Sequence, residues 1–224
     1  MIIDLHNHTG WGSGDTHMEP SALVEQAKRW GLDGICITEH NQVWDPEKIA
    51  ALREKHGFLV IGGVEVDTEW GHILAFGLPG PRRWNRLPTL AELRGLVDEH
   101  GGVLIAAHPF RKWSLPTMPE ASNGDWQAAL REACDLELWR LVDAVEVYNG
   151  LCRPWELRFA DEVAQRLGVK TTGGSDTHRV MELAAGFTVF DEVIRNERDL
   201  IDAIKGSDYH GGNWKSEGIP DRRV

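Results

Sequence analysis

Histidines and acidic residues cluster at the ends of the short apolar runs in this sequence. The first run ends in His6-Asn-His8, and because residues two apart on a strand project to the same face, both imidazoles can reach one cation. The later runs are followed or opened by His40, Glu65, His72, His108, Asp176 and His178. Imidazole nitrogen and carboxylate oxygen together suit divalent cations, and one carboxylate can bridge two of them. The pattern therefore predicts a pocket that holds divalent metal ions.

The elements that position these residues alternate between short apolar runs and amphipathic stretches, which is typical of βα units and a mostly parallel sheet. We predict strands at Ile2–His6, Gly34–Thr38, Phe58–Val66, His72–Gly77, Val103–Ala107, Ala144–Tyr148, Lys170–Gly173 and Phe187–Phe190. Helices are predicted to begin near Pro20 and at the capping box Thr89-Leu-Ala-Glu92, and to cover roughly residues 125–140, 154–167 and 197–206. The carboxyl ends of parallel barrel strands converge on one face, so distant residues are expected to share one pocket.

The chain is long enough for one large domain, which we expect to cover residues 1–205. Two stretches rich in proline, 79–88 and 111–124, are predicted loops. Residues 206–224 are predicted to form a C-terminal tail that is either docked on the domain or flexible.

Charge and composition limit the classes of partner. The formal net charge of −11 argues against a long nucleic-acid footprint, which relies on clustered lysine and arginine. No apolar run approaches the roughly 20 residues that cross a bilayer, and residues 1–5 lack the basic segment of a secretory signal. We therefore expect a cytoplasmic protein with no membrane partner. The three cysteines stand far apart, which argues against a disulfide framework or a thiolate metal site.

Four short motifs occur in a fixed order along the chain. They are Asp4-Leu-His6-Asn-His8-Thr9, Ile37-Thr38-Glu39-His40-Asn41, His108-Pro109 and Gly174-Ser175-Asp176-Thr177-His178. With the intervening segments Gly63-Val64-Glu65 and Gly71-His72-Ile73, they resemble the motifs of the polymerase and histidinol phosphatase family, called PHP, over nearly the whole chain. The resemblance implies an α/β fold, a distorted (β/α)7 barrel of the PHP type. It also implies two or three divalent ions, zinc, manganese or iron, and hydrolysis of a small phosphorylated substrate.

The resemblance further implies which residues bind each ion. His6, His8, Glu65 and Asp176 resemble the ligands of one ion; Asp15, His40 and His178 those of a second; Glu65, His72 and His108 those of a third, with Glu65 bridging. Asp4 matches the leading acid of the family, and its expected contribution to catalysis is to orient an imidazole.

Two positions depart from the commonest family pattern. After the first motif many relatives read Ser-Asp-Gly, whereas this chain reads Ser13-Gly14-Asp15-Thr16-His17. The acid is shifted, so His17 is the alternative to Asp15, or lies at the pocket rim where substrate binds. Glu39 stands where the family often has Asp, and we expect it behind the ligands.

The expected mechanism uses water held between two cations, whose pKa metal coordination lowers from ~16 towards roughly 7. The resulting hydroxide would attack phosphorus while a basic side chain neutralises charge on the phosphoryl oxygens. Arg111, three residues beyond His108, is the first candidate for that contact, and Arg153 is the second. Either residue could instead be an ordinary surface arginine.

The sequence leaves three functions open. The first is a phosphoesterase that acts on a small phosphomonoester or a short nucleotide. The second is a hydrolase of a non-phosphate substrate such as an amide, since a similar metal cluster can activate water against it. The third is a non-catalytic metal-binding scaffold. The sequence fixes neither the native metal, nor the choice between a monoester and a diester, nor the oligomeric state.

Overall fold

The computed structural model describes residues 1–84, 86–111 and 123–219, in which the chain forms twelve strands and six α-helices. The strands are β1 (Ile2–Asp4), β2 (Gly34–Ile37), β3 (Gln42–Val43), β4 (Leu59–Gly62), β5 (Val64–Thr68), β6 (Gly71–Phe76), β7 (Arg82–Arg83), β8 (Val103–Ala106), β9 (Ala144–Asn149), β10 (Thr171–Gly174), β11 (Phe187–Phe190) and β12 (Tyr209–Gly212). The helices are α1 (Pro20–Trp30), α2 (Pro46–His56), α3 (Leu90–Glu99), α4 (Asn123–Cys134), α5 (Pro154–Leu167) and α6 (Glu197–Gly206).

The strands form two five-stranded sheets and one small two-stranded sheet. The first sheet has the order β12-β11-β1-β2-β4, the second has the order β10-β9-β8-β6-β5, and β3 pairs with β7. The βα units run parallel within each sheet, at β1-β2-β4 and at β8-β9-β10, whereas β5, β6 and β11 introduce antiparallel pairs. The predicted α/β class is therefore confirmed.

The described residues do not form one closed sheet. Isolated bridges join the two sheets at both seams, between Asn7 and Thr177 and between His40 and Glu65. Each bridge lies where a strand end turns into a loop that carries predicted site residues. Closure into a seven-stranded barrel therefore stays a prediction, because strand pairing between the two sheets is limited to one isolated bridge at each of these two places.

Helices cover the outer faces of both sheets. Apolar residues of α1 and α2 pack with the first sheet, and those of α3, α4 and α5 pack with the second. The predicted helix near Pro20 is confirmed as α1, and its buried face includes Leu23, Ala27 and Trp30. The predicted capping box opens α3: Thr89 accepts from the backbone N–H of Glu92, and the Glu92 carboxylate accepts from the backbone N–H of Thr89.

Side chains from both sheets meet in a shared core between them. This core includes Ile3, Cys36, Ile61, Leu74, Phe76 and Ile105 from the strands, and Leu200, Ile201 and Ile204 from α6. Because the interior is filled from both sides, the carboxyl ends of β1, β2, β8 and β10 are held on one rim. That packing places the loops that follow these strands next to one another.

Part of the predicted tail is a strand. β12 pairs antiparallel with β11, and the Trp214 ring packs on Phe187 at a centroid distance of 4.7 Å with only 3% of its surface exposed. Residues 209–214 are thus docked. The predicted loop 79–88 contains the two-residue β7, and most of the predicted loop 111–124 lies outside the described residues. Among the described helices, none has the length and apolar character that a membrane crossing requires.

Candidate metal centre

The nine residues predicted as ligands lie on one rim, where they form a continuous network of contacts. His6 and His8 follow β1, His40 follows β2, Glu65 lies on β5, His72 on β6, His108 follows β8, and Asp176 and His178 follow β10; Asp15 lies in the loop before α1. Ion-pair distances of 2.6 to 3.7 Å link all nine. The structure therefore brings together residues that are up to 172 positions apart, from 6 to 178.

Glu65 lies at the middle of this network and is fully buried. Five imidazoles approach its carboxylate: His72 Nδ1 (2.6 Å), His108 Nε2 (3.0 Å) and His6 Nε2 (3.3 Å) face Oε1, and His40 Nδ1 (2.9 Å) and His8 Nε2 (3.3 Å) face Oε2. Burial raises the pKa of Glu65, but the charge of His6 and hydrogen bonds from the imidazoles lower it well below its usual range. Glu65 is therefore an ionised carboxylate in the interior.

Asp176 provides the second buried carboxylate. Its Oδ1 lies 3.2 Å from His8 Nε2 and 3.6 Å from His6 Nε2. Burial raises the pKa of Asp176, yet the neighbouring imidazoles, His6 foremost, hold it far below its usual range. Two ionised carboxylates thus share one pocket, and such a pair needs compensating positive charge.

Asp15 joins the network from its exposed side. Its Oδ2 lies 2.9 Å from His178 Nε2 and 3.3 Å from His40 Nε2, and 49% of its side chain is exposed. The side chain of His17 is exposed and makes no ion pair with the described residues of the network. Of the two alternatives that the sequence left open, the geometry favours Asp15.

The donor atoms of this rim fit divalent cations. Two groups whose ligand atoms lie within 4.8 Å of one another match sets that the resemblance implies, His6-His8-Glu65-Asp176 and Glu65-His72-His108. A third group, His8-His40-His178, contains two of the three residues implied for the second ion, with His8 in the place of Asp15. Glu65 Oε2 and Asp176 Oδ1 are buried, and the imidazole nitrogens that approach them among the described residues do not have the geometry of a hydrogen bond. The Nε2 atoms of His6 and His8 face each other at 3.2 Å. Unpaired acceptors that converge in this way suit a cation, since no proton donor satisfies them.

Two buried carboxylates behind the rim fix the histidine tautomers. The Ser13 hydroxyl donates to Glu39, so it accepts from Nδ1–H of His8 at 3.0 Å and leaves His8 Nε2 with a lone pair toward the pocket. Glu39 also accepts from the Thr9 backbone N–H at 3.1 Å, which orders the loop that leads to Asp15. The expected place of Glu39 behind the ligands agrees with this geometry.

Glu146 fixes the tautomer of His6, a role that was not predicted from the sequence. Its Oε1 lies 3.1 Å from His6 Nδ1, and its Oε2 accepts from the His108 backbone N–H at 3.0 Å and from Asn149 Nδ2 at 2.9 Å. The available signal was a single charged residue within the buried run Ala144-Val-Glu-Val of β9. A carboxylate is buried in such a run only when it has partners.

Asp67 is the second residue that the sequence analysis missed. Its Oδ1 lies 3.2 Å from His72 Nε2, while His72 Nδ1 faces Glu65. Asn41 fixes Asp67 by donating from Nδ2 to Oδ2 at 2.9 Å. The signal was its position two residues after Glu65 on β5, which places both carboxylates on one face.

Asp4 does not orient an imidazole, which corrects the expectation from the sequence. Its carboxylate accepts from the backbone N–H groups of Ser175 (2.9 Å), Ala184 (3.1 Å) and His6 (3.2 Å), and from the Ser175 hydroxyl. Burial raises the pKa of Asp4 to about 6 despite these hydrogen bonds. Asp4 therefore fixes the turn that presents Asp176, and acts on the backbone rather than on a ring.

Unusual backbone conformations occur at the rim. His108 and Asp176 have positive φ angles of 31° and 55°, a region that L-residues rarely adopt. Hydrogen bonds hold both: the His108 N–H donates to Glu146, and the Asp176 N–H donates to the His6 carbonyl at 2.8 Å. Gly174 has no space for a side chain, since a Cβ there would lie 2.4 Å from the His6 Cβ. Such local strain concentrates at functional sites.

The two candidate arginines have different surroundings. The Arg111 guanidinium donates to Asp176 Oδ2, and only 15% of its side chain is exposed. Burial lowers the pKa of Arg111, but the charge of Asp176 raises it further, so Arg111 stays charged. Arg153 is exposed just before α5 and makes no ion pair with the described residues of the network. The structure thus brings Arg111 to the rim and leaves Arg153 outside the network.

Known proteins resemble this chain in sequence or in fold. One similar solved structure, at 2.20 Å, is a two-domain protein of Bacteroides vulgatus that contains a predicted PHP-like metal-dependent phosphoesterase. It superposes with a TM-score of 0.68 at 20% sequence identity, and the match covers 95% of this chain and 64% of that chain. The phosphoribosyl 1,2-cyclic phosphate 1,2-diphosphodiesterase of Eggerthella lenta is 32% identical over 127 residues, which are 54% of this chain and 44% of that enzyme. The PolC-type DNA polymerase III of Oceanobacillus iheyensis is 40% identical over 65 residues, 29% of this chain and 5% of the polymerase.

This chain therefore spans less than half the length of these two relatives. The family match is more extensive: the PHP domain family matches residues 4–149, and the PHP-associated family matches residues 154–208. The first match covers most of the chain and contains seven of the nine residues of the network, all but Asp176 and His178. This protein belongs to the PHP domain family.

Proposed function

We propose that this protein is a metal-dependent phosphoesterase that hydrolyses a small phosphomonoester or a short nucleotide. The observation that carries the proposal is the buried Glu65 carboxylate, which five imidazoles surround at 2.6 to 3.3 Å with Asp176 and Arg111 beside them. The family membership and the diphosphodiesterase relative support the same class of reaction.

Two or three divalent ions, zinc, manganese or iron, would be held by the three groups of ligand atoms on the rim. Such ions supply Lewis acidity and lower the pKa of bound water towards neutrality. The residues around them keep the donors ready: Glu65 and Asp176 remain ionised, and Ser13 and Glu146 hold His8 and His6 with Nε2 toward the pocket.

Arg111 supplies the positive charge for the substrate. Its guanidinium lies against Asp176 at the edge of the centre, so its remaining N–H groups can donate to phosphoryl oxygens. A charged donor at this place favours an anionic ester over a neutral amide. The complete set of acidic and imidazole groups likewise favours a catalyst over a scaffold that binds metal without turnover.

The direct test is phosphate release from an aryl phosphate by purified protein supplied with Mn²⁺ or Zn²⁺, followed by a panel of phosphorylated metabolites, short oligonucleotides and amide substrates. His8→Ala is the control, since it should stay folded by circular dichroism and lose turnover. Absence of release above the His8→Ala background, or preference for the amides, would count against the proposal.

Glu146→Gln is expected to weaken metal binding about 10- to 100-fold, because the residue behind His6 loses its charge and the tautomer of His6 is no longer fixed. Competition with a chromogenic chelator measures this affinity directly. Glu162→Gln is the matched control, since Glu162 bonds Arg158 and Trp126 away from the rim. Equal metal affinity in the two variants would exclude a positioning role for Glu146.

Metal uptake is expected to release protons. Burial lowers the pKa of His40, but its short contact with Glu65 and the charges of Glu65 and Asp15 raise it to about 9. A cation binds the neutral imidazole, so apparent affinity should rise about tenfold per pH unit for each proton released below that pKa, and level off above it. Calorimetric titrations near neutral pH in buffers of different ionisation enthalpy count the protons. Uptake without proton release would contradict this expectation.

A further inference from the structure

An exposed tryptophan lies in the loop that follows His8. Trp11 has 54% of its surface exposed, and its ring stacks on the buried Trp44 with centroids 5.4 Å apart and planes 19° apart. The ammonium group of Lys48 lies 5.6 Å from the Trp11 ring centroid. We call Trp11, Trp44 and Lys48 the aromatic shelf.

Both the chain and the packing connect the shelf to the rim. Trp11 follows His8 by three residues, and Gln42, which lines the same cavity, follows His40 by two. The rings of His8 and His40 stack at 4.3 Å. Two residues of the cavity lining, Trp11 and Gln42, are therefore within three residues of imidazoles that contact each other.

The Trp11 ring is held in place rather than free. Its Nε1–H donates to Glu19 Oε2 at 3.2 Å, and its backbone N–H donates to Thr9 Oγ1 at 3.4 Å. The next residue, Gly12, packs so closely on Glu39 that a Cβ would lie 2.4 Å from the Glu39 Cγ. Glu39 is the carboxylate that fixes Ser13 and, through it, His8. The position of Trp11 is thus tied to the metal centre.

A cavity of about 190 Å³ lies at the shelf, lined by Trp11, Gln42, Trp44, Asp45, Lys48 and Pro81. A single exposed apolar residue is normal on a protein surface and by itself implies no ligand. Here the exposed ring is oriented by one hydrogen bond from its own Nε1–H, stacks on a second indole, and lines a cavity that also contains Lys48 and Asp45. Those features match a platform on which an aromatic ring stacks.

We propose that the aromatic shelf stacks the base of a nucleotide whose phosphate lies at the metal centre. The phosphate part rests on the proposed function, whereas the stacking part rests on the shelf alone. The cavity lining contains one cation, Lys48, and one acid, Asp45, so the preference is expected from stacking on the indole and not from charge. The shelf therefore selects nucleotides over sugar phosphates, which have no ring to stack.

Adenosine 5′-monophosphate carries adenine where ribose 5-phosphate carries the anomeric hydroxyl, so comparing their kcat/KM values tests the inference. Stacking on a tryptophan should favour the nucleotide by about 5- to 100-fold. Trp11→Ala should bring the ratio close to one by raising KM for the nucleotide and leaving ribose 5-phosphate unchanged, while Trp11→Phe should keep most of the preference. Trp126→Ala is the control, because Trp126 packs on Phe159 and Arg158.

Binding of adenosine, which carries no phosphate, separates this inference from the proposed function. Calorimetry should detect adenosine binding to the metal-loaded wild type and a loss of at least about fivefold in affinity with Trp11→Ala. If no phosphate ester of the panel is hydrolysed but this difference is seen, the proposed function fails and the shelf stands. A nucleotide preference near one, or equal adenosine affinity in wild type and Trp11→Ala, would overturn the shelf whatever the hydrolytic activity.

Discussion

Glu65→Gln is expected to lower kcat/KM for a phosphate ester by more than about 10³ and to remove bound metal. Gln keeps the shape of the side chain but loses the charge. Imidazole nitrogens surround both carboxylate oxygens of Glu65, and in the variant some of them would face the amide N–H groups instead. Since metal ions supply several kcal/mol of charge stabilisation to such reactions, losing them corresponds to at least this factor. Metal content by elemental analysis and steady-state kinetics on the same sample measure both effects.

The matched control for that substitution is Glu197→Gln. Glu197 is half-buried on α6, where it accepts from the Gly77 backbone N–H at 2.8 Å, away from the rim. It should retain metal content and turnover, and thermal unfolding should show both variants to be folded. Glu65→Gln protein that keeps its full metal content and activity would show that Glu65 does not hold the ions.

Much of the site could be predicted because its residues follow strands. The apolar run before His6-Asn-His8 predicted a strand, which the structure places at Ile2–Asp4 with both imidazoles just after it. The predicted strand Phe58–Val66 is instead two strands in different sheets, β4 and β5, and Glu65 lies near the start of β5. The structure places all nine predicted ligands in one network, as that reasoning requires.

Residues that act through other residues were harder to predict. Whether Glu146 faces the rim depends on the register of β9 against β8 and β10, which pairing between distant segments sets. Asp4 likewise looked like a partner for a ring, but the turns at Ser175 and Ala184 bring backbone N–H groups to it. Closure of the barrel is equally hard to predict, since only the isolated bridges Asn7–Thr177 and His40–Glu65 join the two sheets among the described residues.

Arg111→Ala is expected to lower kcat/KM about 10²- to 10³-fold while leaving metal content unchanged, because a donor aimed at developing phosphoryl charge is removed. Arg111→Lys should recover only part of this loss, since an ammonium group keeps the charge but cannot make the two parallel hydrogen bonds of a guanidinium. Arg153→Ala provides the comparison, since the exposed Arg153 makes no ion pair with the described network and should cost little.

The metal measurement distinguishes two roles for Arg111. Its guanidinium bonds Asp176, so a residue that only holds Asp176 in place would, when removed, weaken metal affinity together with activity. A residue that binds the phosphate would reduce turnover and the affinity for inorganic phosphate with the metal still bound. Loss of metal in Arg111→Ala would therefore show that Arg111 positions Asp176. If Arg153→Ala lost more activity than Arg111→Ala, the phosphate contact would instead belong to Arg153 at the start of α5.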